Sequence, residues 1–117
     1  MKRRTLALTV AAFLGISGTA EALSISRFTA RATPTMVHYT IRYCDRGGRV
    51  HEHFEFFALD MSSGDFTDDA YARVQGGCYI GSGQFPNRYR EGLWELKVTM
   101  SDSRGALLRR STRVYLP

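Results

Sequence analysis

From Trp94 to Ser101 the chain alternates strictly. Trp94, Leu96, Val98 and Met100 are apolar, while Glu95, Lys97, Thr99 and Ser101 are polar. Successive side chains on a strand point to opposite faces, so this run predicts a strand with one dry face and one wet face. Asp102-Ser103-Arg104-Gly105 follows, with Asp first and Gly fourth, as a type I turn prefers. The return strand is carried by Leu108, Thr112, Val114 and Leu116. Gly92–Pro117 therefore predicts a terminal β-hairpin.

The same period recurs upstream. Leu23–Ala32 predicts a first, irregular strand: Leu23 and Ile25 share one phase, Phe28, Ala30 and Ala32 the other, and the switch implies a bulge or a strand that changes sheet. Thr33-Pro34-Thr35 ends it. Met36–Cys44 puts Val37, Tyr39, Ile41 and Tyr43 on one face and His38, Thr40, Arg42 and Cys44 on the other. Asp45-Arg46-Gly47-Gly48 is a turn. Arg49–Met61 predicts a third strand with Val50, Phe54, Phe56 and Ala58 inside and His51, His53 and Glu55 outside. Phe57 and Leu59 carry that outer face on with apolar groups, so the strand bends or is covered on both sides at its far end. Ser62–Asp69 predicts a polar loop opening into a helical turn at Thr67-Asp68-Asp69-Ala70. Ala70–Phe85 predicts a fourth strand, with a bulge at Gly76-Gly77, and Pro86–Glu91 a corner. Short strands at such spacing predict an all-β, antiparallel β-sandwich of about seven strands.

The first 22 residues change the picture of what folds. Lys2, Arg3 and Arg4 precede an apolar run from Leu6 to Gly18, and Ala20-Glu21-Ala22 is a small-x-small cleavage signal. Met1–Ala22 is expected to be a secretory signal peptide, cut after Ala22. The alternative is an uncleaved membrane anchor, for which the run is short; no later stretch is apolar enough to span a bilayer. The expected processed chain is Leu23–Pro117, one domain. Cutting removes three cations and one carboxylate, so the formal charge falls from +5 to +3. The remaining cations form no dense stripe, which argues against a nucleic-acid partner.

Cys44 and Cys78 are the two cysteines. Export would place them in an oxidising compartment, where such a pair becomes a disulfide; a free thiol or an intermolecular bridge is the alternative. Closing a loop of about 35 residues is worth on the order of 4 kcal/mol in the chain-entropy account.

Phe85-Pro86, then Gly92-Leu93-Trp94-Glu95-Leu96-Lys97-Val98, then Asp102 and Gly105 resemble the last two strands of immunoglobulin-like or fibronectin-type-III-like domains of secreted bacterial proteins. The resemblance implies that Trp94 packs at a corner and that its indole N–H bonds to nearby backbone. Leu96 stands where antibody-type domains carry their second cysteine, and Cys44 is out of phase with Val37, Tyr39 and Ile41. The bridge is therefore expected to join neighbouring strands at an edge or outer face, not to pin the two sheets together.

Candidate chemistry is sparse. His51, His53 and Glu55 at alternate positions of one strand present two imidazoles and a carboxylate on one face, and His38 on a neighbouring strand would complete a zinc or copper site. The alternative is a polar face with ordinary cross-strand pairs, such as Glu55 with Arg42. Arg88, Tyr89 and Arg90 bring residue types favoured at interfaces to one corner loop. Asp65, Asp68 and Asp69 do not match a calcium-loop spacing. No serine or cysteine nucleophile stands near a histidine base, and no glycine loop cradles phosphate. The function expected is a non-catalytic, secreted or periplasmic binding module with a protein partner and no cofactor. An extracytoplasmic metal-binding protein is the alternative, and a small enzyme or enzyme inhibitor comes third.

Overall fold

The computed structural model describes residues 22–60 and 64–117, and of residues 7–13 and 64–67 the backbone only. The signal-peptide reading of Met1–Ala22 therefore lies outside the described residues, save for Ala22 and one run of backbone. That run, Ala7–Phe13, is extended and is β1. Seven further strands follow: β2 Ser24–Ala32, β3 Met36–Asp45, β4 Gly48–Ala58, β5 Gly64–Val74, β6 Gly77–Pro86, β7 Gly92–Asp102 and β8 Leu107–Leu116. One sheet has the order β1-β6-β3-β2, the other β5-β4-β7-β8, and every pair is antiparallel. The two sheets face one another as a β-sandwich, as the alternation predicts.

The core is the sum of the inward residues. Val37, Tyr39, Ile41 and Tyr43 of β3 meet Phe54, Phe56, Leu96, Val98 and Met100 of the facing sheet, all but fully buried. Phe56 stacks on Trp94 at 4.9 Å and meets Phe85 edge-on at 5.1 Å. Tyr39 packs on Phe54 at 4.8 Å. The ring of Tyr39 crosses directly over Gly83, where a Cβ would lie 2.5 Å from the ring and hydroxyl; the close approach requires glycine. The predicted bulge of the first strand is present as a register shift between Ile25 and Arg27. A second shift, at Phe56/Phe57, marks where β4 bends away from β5. At the open side Arg110 on β8 reaches across and donates to the carbonyl of Ile25 on β2, tying the two sheets.

Three expectations need correction. Gly64–Asp69 is not a loop with a helical turn but the first half of β5. Ala70–Phe85 is not one strand with a bulge: its two ends belong to β5 and β6, in different sheets. Gln75 and Gly76 are a crossover, which the sequence pattern of a bulge resembles because both need glycine. The turn Asp45–Gly48 likewise crosses from one sheet to the other, with Gly47 and Gly48 at φ of 125° and 108°. β3 and β4 are thus not neighbours.

The bridge Cys44–Cys78 is formed. The two residues are direct partners in the β3–β6 ladder, so it joins neighbouring strands, on the half-buried outer side of Cys44.

The alternation of β4 also carries Glu52 inward, between Val50 and Phe54, with no exposure at all. Its two carboxyl oxygens and the hydroxyls of Tyr39 and Tyr43 meet no hydrogen-bond partner among the described residues. Burial raises the Glu52 carboxyl from 4.5 to about 7. Burial first and the Glu52 charge second push both tyrosine hydroxyls upward. A carboxyl raised on folding stabilises the fold while it is protonated. That contribution is complete below its unfolded value and is lost as the pH rises through the folded one. The shift corresponds to roughly 3 kcal/mol across that window. Glu52→Gln should match the parent near pH 4.5 and exceed its stability by about that amount near pH 8, read from denaturant midpoints at the two values.

Candidate functional site

The outer face of the β5-β4-β7-β8 sheet holds the side chains with the most chemistry. It is built by the odd positions of β4, β5 and β7, which point away from the core. Register sets them in rows: Tyr71, His51, Ser101 and Leu107 in one; Asp69, His53, Thr99 and Arg109 in the next; then Glu55, Lys97 and Ser111.

His51 and His53, two apart on β4, lean toward β5 and converge on one carboxylate oxygen. His51 Nε2 and His53 Nδ1 each lie 2.8 Å from Asp69 Oδ1. A carboxylate oxygen only accepts, so the ring nitrogen facing it carries the proton in both rings. The hydrogen bond from His53 holds the Asp69 carboxyl below its ordinary range, against its own burial, and that from His51 adds to this. Tyr71 stacks on the His51 ring at 4.6 Å and 10° while remaining exposed.

The four residues expected to share a metal are not gathered. Glu55 extends toward Lys97, 3.8 Å away on β7. That cation, and not Arg42, is its cross-strand neighbour, because β3 and β4 lie in different sheets. His38 sits on the outer face of the other sheet for the same reason, in register with Arg31 and Gln84. Asp69, which the spacing of β4 alone could not reveal, takes the place in front of both imidazoles. Among the described residues no three His, Cys, Asp or Glu side chains are arranged to hold a metal ion. Asp68, by contrast, points inward and is buried, so Asp68 and Asp69 cannot share a cation.

The corner loop divides. Tyr89 turns inward, 5.0 Å from both Phe56 and Trp94, and caps the aromatic cluster. Arg90 holds both oxygens of Asp60 at 2.9 Å and lies 6.0 Å over the Trp94 ring. Of the three, Arg88 and Arg90 are exposed. Trp94 Nε1 donates to the Arg90 carbonyl at 3.0 Å, the corner bond that the resemblance implied.

A polar hollow of about 490 Å³ lies on the other sheet's outer face, lined by Thr29, Arg31, His38, Thr40, Ser82 and Gln84 among others. Its lining puts one imidazole, that of His38, among the hydroxyls of Thr29, Thr40 and Ser82, with no carboxylate or cysteine side chain.

No family model and no curated protein matches the chain. Among solved structures, the N-terminal domain of PorA aligns with 93% of this chain and 95% of that chain, at 11% identity and a TM-score of 0.29.

Asp69 is a carboxylate whose folded value is depressed, so its contribution is present above the ordinary carboxylate range and fades as the pH falls through the folded value. With about a quarter of the side chain exposed, water screens the cluster. Asp69→Asn should cost about 1 kcal/mol near neutral pH, and the difference from the parent should shrink as the pH falls below the ordinary carboxylate range. Chemical denaturation across that range measures it.

Proposed function

We propose that the protein is exported, is cut after Ala22, and works without catalysis as a protein-binding β-sandwich module. One observation carries this reading. Among the described residues the exposed large apolar side chains are Tyr71, Leu93, Leu107 and Tyr115, and all four stand on the outer face of the β5-β4-β7-β8 sheet. Tyr71 and Leu107 close one end of that face; Leu93 and Tyr115, direct partners in register, close the other. Between them lie Arg109, Arg113, Glu95, Lys97 and the His51–Asp69–His53 cluster. Scattered apolar residues on a surface mean little, but all of them on one face, with tyrosine and arginine among them, is the composition of a protein contact.

Support for an immunoglobulin-like or fibronectin-type-III-like domain comes from the Trp94 corner bond and from the strand order. In the constant-type immunoglobulin order the fourth strand joins the sheet of the first two. Here β5, the fourth strand of the processed chain, lies beside β4 in the opposite sheet. That placement favours the fibronectin-like arrangement. Export is supported by the Lys2–Ala22 pattern and agrees with the formed disulfide.

The processed protein, immobilised and exposed to an extract of the source's extracytoplasmic fraction, should retain a partner. Tyr71→Ala/Tyr115→Ala should lose at least nine-tenths of it at unchanged circular dichroism, an order-of-magnitude effect expected of two interface tyrosines. Arg88→Ala should retain it. A retained set unchanged by the double substitution overturns the assignment of the face.

A further inference from the structure

Among β2 to β8, β6 is the strand without a single charged residue: Gly-Cys-Tyr-Ile-Gly-Ser-Gly-Gln-Phe-Pro. Its position makes this unusual. Once Met1–Ala22 is gone, the sheet reads β6-β3-β2 and β6 becomes an edge, with a row of backbone N–H and C=O groups turned to solvent. Edge strands are normally guarded by charges, prolines or bulges. The other edges follow that rule. β2 has Arg27, Arg31 and a bulge; β5 has Asp65, Asp68, Asp69 and Arg73; β8 has Arg109, Arg110 and Arg113. β6 has only Pro86, at its last position, and its pairing runs without a register shift.

In the structure this edge is covered. Ala7–Phe13 lies along it, antiparallel, through seven consecutive pairs from Ala7 opposite Gln84 to Phe13 opposite Cys78. The covering run, Ala-Leu-Thr-Val-Ala-Ala-Phe, is also uncharged. Its register sets Leu8 opposite Gly83 and Val10 opposite Gly81, branched residue types against glycine.

We propose that the outer edge of β6, Cys78–Gln84, is a strand-accepting site, which after removal of the leader takes an uncharged extended segment of a partner protein, antiparallel and in the register of Ala7–Phe13. The segment has branched apolar residues two apart, opposite Gly81 and Gly83. Main-chain bonds supply the attachment and the alternate side chains the selectivity, the mode of β-strand addition. A second copy of the chain fits less well. A second β6 laid antiparallel about Ser82 sets Gly81 against Gly83, glycine against glycine, where Ala7–Phe13 sets Val10 and Leu8. The inference rests on the proposed export and cleavage, and it concerns the opposite sheet from the Tyr71–Tyr115 face.

The test uses the full chain with its disulfide, and the same chain with Val10→Pro. Proline cannot donate to a ladder, so the substitution frees the edge. None of the buried core from Leu23 to Leu116 is touched. The probe is a synthetic peptide of the sequence Ala7–Phe13 with a lysine at each end. Hydrogen exchange of alternate amides in Cys78–Gln84 should be at least tenfold faster in Val10→Pro than in the parent chain. Added peptide should restore the protection. Peptides carrying glycine at the positions of Leu8 and Val10 should bind at least tenfold more weakly, and one with proline for Val10 should not bind. Thr9→Asp serves in place of Val10→Pro should the latter fail to fold. No protection by the parent peptide, equal binding of the glycine peptide, or protection arising instead from concentration-dependent dimers each overturns the proposal. Tyr71→Ala/Tyr115→Ala should leave peptide capture unchanged, so failure at one site is told from failure at the other.

Discussion

Two sheets stay stacked only if each presents a continuous apolar layer to the other while its backbone groups are bonded within the sheet. That requirement sets nearly everything else in this chain. In β3 it is met by Val37, Tyr39, Ile41 and Tyr43, all inside, up to the last residue, Asp45. In β7 it is met by Trp94, Leu96, Val98 and Met100. Burial of aromatic and branched side chains at this density is the dominant favourable term for a small domain, at about 25 cal/mol for each Å² of apolar surface. The other devices are local. The Cys44–Cys78 bridge shortens the unfolded chain, the Trp94 bond closes a corner, and Arg110 ties the open side.

The same alternation explains what could be read from sequence and what could not. Period and phase are properties of consecutive residues, so the faces of β3, β4, β7 and β8, the bulge in β2 and the terminal hairpin were all legible. Sheet membership is not such a property. Asp45–Gly48 and Gln75–Gly76 carry glycines that suit a hairpin, a bulge or a crossover equally, and the choice depends on contacts distant in sequence. Two misplacements followed from that one ambiguity: β5 and β6 read as a single strand, and His38 set beside His51. Gly64–Asp69 was misread for a different reason. Asp68 and Asp69 are poor strand formers, and tertiary pairing with β4 overrides their preference.

At the candidate site the sequence located His51 and His53 and their shared face, because they lie on one strand. It could not locate Asp69, which reaches them from the neighbouring strand 16 residues beyond His53. The loop Arg88–Arg90 shows the reverse. Residue type suggested contact, and packing assigns Tyr89 to the cluster around Phe56 and Arg90 to Asp60. Composition reports what a residue is able to do; its neighbours decide which of those abilities is used. The four exposed apolar side chains gather on one face only when register is known, since they come from three strands.

Glu52 is where the general rule and the particular residue disagree. Its parity puts it inside, its charge argues for the surface, and backbone register wins because turning one residue outward would turn every residue of β4. The carboxyl then adapts by holding its proton to about pH 7. Asp45, fully buried at the end of β3, is raised in the same direction, first by burial and then by the neighbouring Asp102. Asp69, on the outer face, is pushed the opposite way by its two imidazoles. Glu52 and Asp45 thus favour acid and Asp69 opposes it. The sandwich is therefore held best in the weakly acidic range, where Glu52 retains its proton and Asp69 has already lost its own.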